Sequence, residues 1–370
     1  MQTPPEPDWI RLGRAIAALR GDLDGRLFPL FAHVDADRWL QPIPVYVIAL
    51  WFSTGSWADL AARWPSAVIG ALNVALVYLI ARRLLQRIEW AVAAGALLLL
   101  APAHFVYGRA AVDSIYVVPF VLAWMLLLAE FFDRPRAWLV AAATLWLGVG
   151  VYTQPSAPIT MALYLTITAY SLWSHGHRSV GLYLGGAGAF ALPLLGMAAW
   201  FIVHPETYQD TMGRWAIHAA HIRYPLDGVR ALVNWNTLSN RTALYWEFFN
   251  PATLFFASAP GSGPEIMHGA APLAMSMLLL VPVGVARLAS SQSAMAPVLL
   301  GGLVCTPLAA VTFSDPHVMG RALTAVPLLT LLAAAGGATL LESKRVLVRS
   351  AAILLLALVP LQFLRFVHAY

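Results

Sequence analysis

Asp113 follows Arg109 by four residues in GRAAVDSIY, with apolar sequence on both sides. Charges that close to hydrocarbon are costly, and where they occur they are usually paired or functional. At this spacing the two could form a local ion pair on one helix face. Otherwise the carboxylate lines an outward cavity and binds a cation or a substrate. Asp8 sits in PEPDWIRLGRAIAAL, which continues as an amphipathic helix with basic Arg11, Arg14 and Arg20. An aspartate there either caps a helix or has a chemical role. Arg321 and His317 lie at the end of an apolar run in FSDPHVMGRALTAVP. A guanidinium at that depth suits a lipid phosphate, which it can grip through two parallel hydrogen bonds, or else snorkels to the headgroups as an anchor.

These residues need elements to hold them, and the elements are long apolar stretches. The chain has 370 residues, is 60% hydrophobic and only 11% charged. That is too little charge to cover a soluble surface of this size. Stretches of ~20 apolar residues span a bilayer, and about ten are readable here: 64–82, 90–107, 115–132, 137–153, 157–174, 180–203, 269–288, 294–313, 319–341 and 346–367. Alternate loops carry Arg82, Arg83 and Arg87, then Arg134 and Arg136, Arg178, Arg287, and Lys344 with Arg345. Basic short loops stay in the cytoplasm. The other loops hold most of the 18 carboxylates, so the chemistry is expected on the outer face of the plasma membrane.

The expected fold is all-α, a polytopic bundle, in four parts: an outer first loop 1–63, helices 64–203, an outer loop region 204–268, and helices 269–370. Residues 42–53 are too few to cross and read as a juxtamembrane helix on the outer face. Residues before them would then lie outside with nothing to carry them across, so either they are translocated without a preceding span or, as expected here, a further span lies upstream of Met1. Prolines inside apolar stretches, such as Pro193, Pro282, Pro307 and Pro360, are tolerated in membrane helices. GGAGAFALPLLG and AAAGGA offer small residues for close helix contact.

Several classes are excluded. The net charge of +5 comes from scattered arginines, with Lys344 the one lysine, and makes no nucleic-acid patch. Cys305, the single cysteine, rules out an intrachain disulfide and CxxC metal sites. His218 and His221 are three apart but lack an HExxH pattern, so spacing alone argues poorly for zinc.

Longer motifs add a resemblance. WLQPIPVYVIALW, RWPSAVIGALNVALVYLIARRLL, APAHFVYGRAAVDSIYVVPFVLAW, GVGVYTQPSAPI, YWEFFNPATLFF and HVMGRALTAVPLLTLLAAAGG together resemble the GT-C superfamily of membrane glycosyltransferases, of the family 39 type related to protein mannosyltransferases and the aminoarabinose transferase. The departures are plain: Asp8 is followed by Trp9 where the family commonly has Glu, and Gln41 stands where its proline motif has His.

The resemblance implies an inverting transfer of a sugar from a polyprenyl-phosphate donor to an acceptor. It makes Asp8 the general base and Asp113 a second essential acid. Arg321, with Arg63 and Arg109 as further candidates, contacts the donor phosphate. Tyr152, Tyr245, Trp246 and His317 line the substrate. No cofactor is required, although gathered carboxylates leave room for a divalent cation. Partners would be the lipid-linked sugar, the bilayer and other membrane proteins. A non-catalytic subunit keeping this scaffold is the main alternative. A secondary transporter fits less well, because the stretches carry almost no central charge and show no half-repeat.

Overall fold

A computed structural model describes residues 8–35, 37–55, 63–110, 112–215, 226–227, 230, 235–256, 270–312 and 318–369. Helices α1 (Asp8–Leu19) and α2 (Pro42–Ser53) flank a hairpin of β1 (Ala32–Asp35) and β2 (Arg38–Leu40). Then come α3 (Trp64–Leu85), α4 (Ile88–Leu99), α5 (Pro102–Tyr107), a 3₁₀ turn (Asp113–Val117), α6 (Val118–Asp133), α7 (Ala137–Gly150), α8 (Ala157–Ser174) and α9 (Val180–Val203). The rest are α10 (Pro205–Trp215), α11 (Trp235–Glu247), α12 (Pro251–Phe255), α13 (Met277–Ala289), α14 (Met295–Thr312), α15 (Val318–Arg321), α16 (Ala325–Leu341) and α17 (Val346–Ala369). Every expected apolar stretch contains a helix, and among the described residues five helices are long and apolar enough to cross a membrane.

Three stretches differ from expectation. The run 90–107 breaks at Ala101, whose extended backbone precedes Pro102, because a proline disfavours helical geometry in the residue before it. The run 269–288 becomes helical only at Met277; before it, Leu273 donates to the Leu254 carbonyl (3.1 Å), and the Pro272 carbonyl accepts from Ala103 (3.1 Å). The run 319–341 is interrupted between α15 and α16, which turns Arg321 inward. The hairpin is also an addition to the all-α expectation; Ala32 pairs with Leu40 and His33 with Trp39.

Close packing follows small residues. A Cβ at Gly284 of α13 would overlap the Leu332 carbonyl of α16, and one at Gly336 would overlap the Leu280 carbonyl. Gly148 of α7 likewise lies against the Phe190 carbonyl of α9, 2.5 Å from a Cβ built there. Such contacts suit membrane helices, whose association depends on packing rather than on water exclusion.

The two sets of loops lie at opposite ends of the bundle. At one end Arg83 pairs with Glu130 and, at 2.9 Å, with Asp133, while Arg87 and Arg287 approach Glu342 at 3.8 and 3.6 Å. At the other end Arg321, just before α16, meets Asp113, just before α6, and Gln154, just before α8, while α2 contacts α3 and the 3₁₀ turn. Leu12, Ile16, Val34, Leu40, Val45 and Ala49 form a small separate core that joins α1, the hairpin and α2. Trp39 ties the hairpin to α10 by donating to Asp210 (3.0 Å).

Candidate active site

Asp113 begins the 3₁₀ turn that leads into α6, and Arg321 ends α15. The Arg321 Nη1 donates to Asp113 Oδ2 at 2.5 Å across a sequence gap of 208 residues. Both side chains are only 11% exposed. Burying two charges is costly, and removing one partner of such a pair typically costs ~3–5 kcal/mol. The close approach depends on Gly320: a Cβ there would lie 2.9 Å from Ser114 Oγ and 3.0 Å from Tyr107 Oη. On the other side, Gln154 Nε2 donates to the Arg321 carbonyl (3.3 Å).

The local pairing of Asp113 with Arg109 is not adopted. Arg109 instead lies over the Phe105 ring at 3.8 Å and is exposed. The long-range partner wins because Val112, between Arg109 and Asp113, is extended, and a local i, i+4 pair needs both residues on one helix face.

Buried polar atoms crowd the same region. The Asn73 amide, His104 Nε2, Gln154 Oε1 and Ser156 Oγ are buried without a hydrogen-bond partner. Ser66 and Tyr116 add two further buried hydroxyls that face each other. Ser66, Gly70 and Asn73 fall on the buried stripe of α3, and His104 of α5 lies beside Gly70. Buried polar groups in folded proteins are almost always paired with protein or water, so this concentration marks a place that takes a polar ligand or ordered water. The sequence signal was available in Asn73, an amide within the apolar run ALNVAL, but it was not among the residues expected at the site.

Asp8 starts α1 and pairs with Arg38 of β2; their side chains are 21% and 36% exposed. α2 links this acid to the Asp113 region, since it packs on α1 and also meets the 3₁₀ turn. Its first turn is anchored by Ile43, which donates to the Tyr152 carbonyl (3.2 Å).

The remaining expected residues lie elsewhere or serve packing. Arg63 is exposed at the start of α3. Tyr152 is nearly buried, and its hydroxyl donates to the Pro193 carbonyl (2.6 Å). Tyr245 donates to the Val304 carbonyl of α14 (3.1 Å), with the exposed Trp246 edge-on beside it. His317, like His218 and His221, lies outside the described residues. Among the described residues no cluster of three His, Cys, Asp or Glu side chains could hold a metal ion.

Comparison of the whole architecture decides the fold. ArnT from Cupriavidus metallidurans in the apo state matches with a TM-score of 0.58 at 14% identity, over 99% of this chain and 67% of that one. The chain has the fold of the GT-C membrane glycosyltransferases. The same ArnT bound to undecaprenyl phosphate matches this chain with a TM-score of 0.56 at 13% identity, over 99% and 67%. The Archaeoglobus fulgidus oligosaccharyltransferase in complex with zinc and sulfate matches with a TM-score of 0.54 at 12% identity, over 98% of this chain and 48% of that one. Residues 41–200 match the family model for dolichyl-phosphate-mannose-protein mannosyltransferases. No curated protein matches the chain at a significant level.

Proposed function

We propose that this protein transfers a sugar from a polyprenyl-phosphate donor to an acceptor hydroxyl on the extracytoplasmic face of the plasma membrane, with inversion at the anomeric carbon. The observation that carries the reading is the buried Asp113–Arg321 pair, held at one end of the bundle among polar atoms without partners. A cation and a carboxylate there match the two needs of the reaction, stabilising a departing phosphate and handling an attacking hydroxyl.

Asp113 pairs with Arg321 in the structure. The donor phosphate competes for the guanidinium, whose planar donors suit phosphate oxygens, and the displaced Asp113 carboxylate positions the acceptor hydroxyl. The acceptor oxygen then attacks the anomeric carbon. The bond from that carbon to the phosphate oxygen breaks, and its electron pair leaves with the polyprenyl phosphate. The hydroxyl proton passes to the Asp8 carboxylate as general base. Arg321 stabilises the growing charge on the phosphate in a site that excludes bulk water, where preorganised charge has its largest effect.

The test is Asp113→Asn in purified protein supplied with a polyprenyl-phosphate sugar pool. Sugar transfer is expected to fall by about 100-fold or more, while the protein stays monodisperse. Wild-type turnover in that variant would refute the role.

A further inference from the structure

A second cation stands at the same end of the bundle as Arg321, beside a cleft that the proposed reaction does not use. The cleft measures about 480 Å³ and lies between α5, α12, the segment 270–275 and α17. Its walls are apolar and aromatic, with Pro102, Phe255, Phe256, Leu273, Phe363 and Phe366 prominent, and its polar side chains are Gln362 and Arg365. Gln362 is already used, since its Oε1 accepts from the Ser276 backbone N–H (3.3 Å). Arg365 is exposed, and among the described residues no carboxylate pairs with it.

The wall is held in shape. Phe105 of α5 meets Phe363 and Phe366 edge-on, at 5.1 and 6.0 Å between ring centroids. Leu273 is fixed to Leu254 and Pro272 to Ala103 by the backbone bonds already described. The volume falls within the usual range of small-molecule pockets, about 300–1,000 Å³. Around Arg365 the surface of α17 is mostly apolar, with Leu361, Leu364 and Val367 exposed and His368 the polar neighbour. An apolar cleft on such a surface is wetted by hydrocarbon, and a lone arginine near the helix end reaches headgroup depth.

The two cations do not share one phosphate. Pro102, at the start of α5, faces the cleft, whereas Tyr107, at its end, lies against Gly320 beside Arg321. A six-residue helix is ~9 Å long, so α5 stands between the two positions. If the donor phosphate goes to Arg321, as the proposed function holds, Arg365 is left for a second anion. We propose that the cleft holds one phospholipid of the surrounding bilayer, with a hydrocarbon chain between α12 and α17 and its phosphate on Arg365.

The experiment is native mass spectrometry of the full chain released from nanodiscs of phosphatidylcholine and phosphatidylglycerol. Wild-type protein is expected to retain one phosphatidylglycerol. Arg365→Gln should reduce that population by about tenfold, the equivalent of ~1.4 kcal/mol. Ala274→Phe fills the cleft while keeping Arg365, and should also lose the lipid. Wild-type retention in either variant, with each still monodisperse, would overturn the proposal. Displacement of the phospholipid by added undecaprenyl phosphate would overturn it too, by giving the cleft to the donor. The readout needs no turnover, so it stands apart from a failure of the transferase reading.

Discussion

Arg321 and Asp113, separated by 208 residues, meet at 2.5 Å in a buried ion pair. The pair brings the start of α6 against the residues that lead into α16, the two apolar helices whose first turns border the buried amide and hydroxyl groups. It therefore joins a structural requirement, tying two distant segments at membrane depth, to a chemical one, a guanidinium held where a phosphate oxygen would be stabilised.

Gly320 sets how closely that guanidinium approaches. A methyl group there would press on Ser114 Oγ at 2.9 Å and Tyr107 Oη at 3.0 Å. Gly320→Ala is expected to shift Arg321 by a fraction of an ångström and to lower transfer by about 10- to 100-fold, the scale on which misplaced catalytic groups act. The fold should persist, and steady-state transfer assays beside thermal unfolding would separate the two. Transfer at the wild-type rate would show that the close approach is immaterial.

Much of this site was legible in the sequence one residue at a time. Asp113 and Arg321 each stood out as a charge beside an apolar run. Their pairing was not legible, because the local partner Arg109 offered the same chemistry four residues away, and only the break between α15 and α16 turns Arg321 toward α6. The hairpin escaped notice because strands of four and three residues show too little alternation to read. Helix positions were clearest where long apolar runs decide them, and least clear at Ala101 and in 270–276, where prolines and backbone bonds to neighbouring elements override hydropathy.

Asn73 provides a separate test of the buried polar cluster. Its amide is fully buried and has no partner, a condition that costs roughly 1–3 kcal/mol. Asn73→Leu removes that cost and is expected to leave the thermal midpoint unchanged or higher. Transfer should fall roughly tenfold if the amide serves a ligand or an ordered water at the site. A variant with full activity would assign Asn73 to packing alone.

The contact between α13 and α16 predicts a purely structural effect. Gly284→Val places a side chain into the Leu332 carbonyl, and overpacking of this kind typically costs about 1–3 kcal/mol. The thermal midpoint should drop and monodisperse protein should be harder to recover, with the same result for Gly336→Val. Gly188→Ala, which meets nothing within 4 Å, is the matched control and should be neutral. Equal stability in all three variants would contradict the packing described.

The most direct measurement is the affinity of purified protein for undecaprenyl phosphate, compared between wild type, Arg321→Ala and Asp113→Asn. Loss of a charge-assisted phosphate contact is worth ~1.5–3 kcal/mol, so Arg321→Ala should bind at least tenfold more weakly. Asp113→Asn removes the competing carboxylate and should bind no more weakly than wild type. Unchanged affinity in Arg321→Ala would contradict the assignment of Arg321 to the donor phosphate.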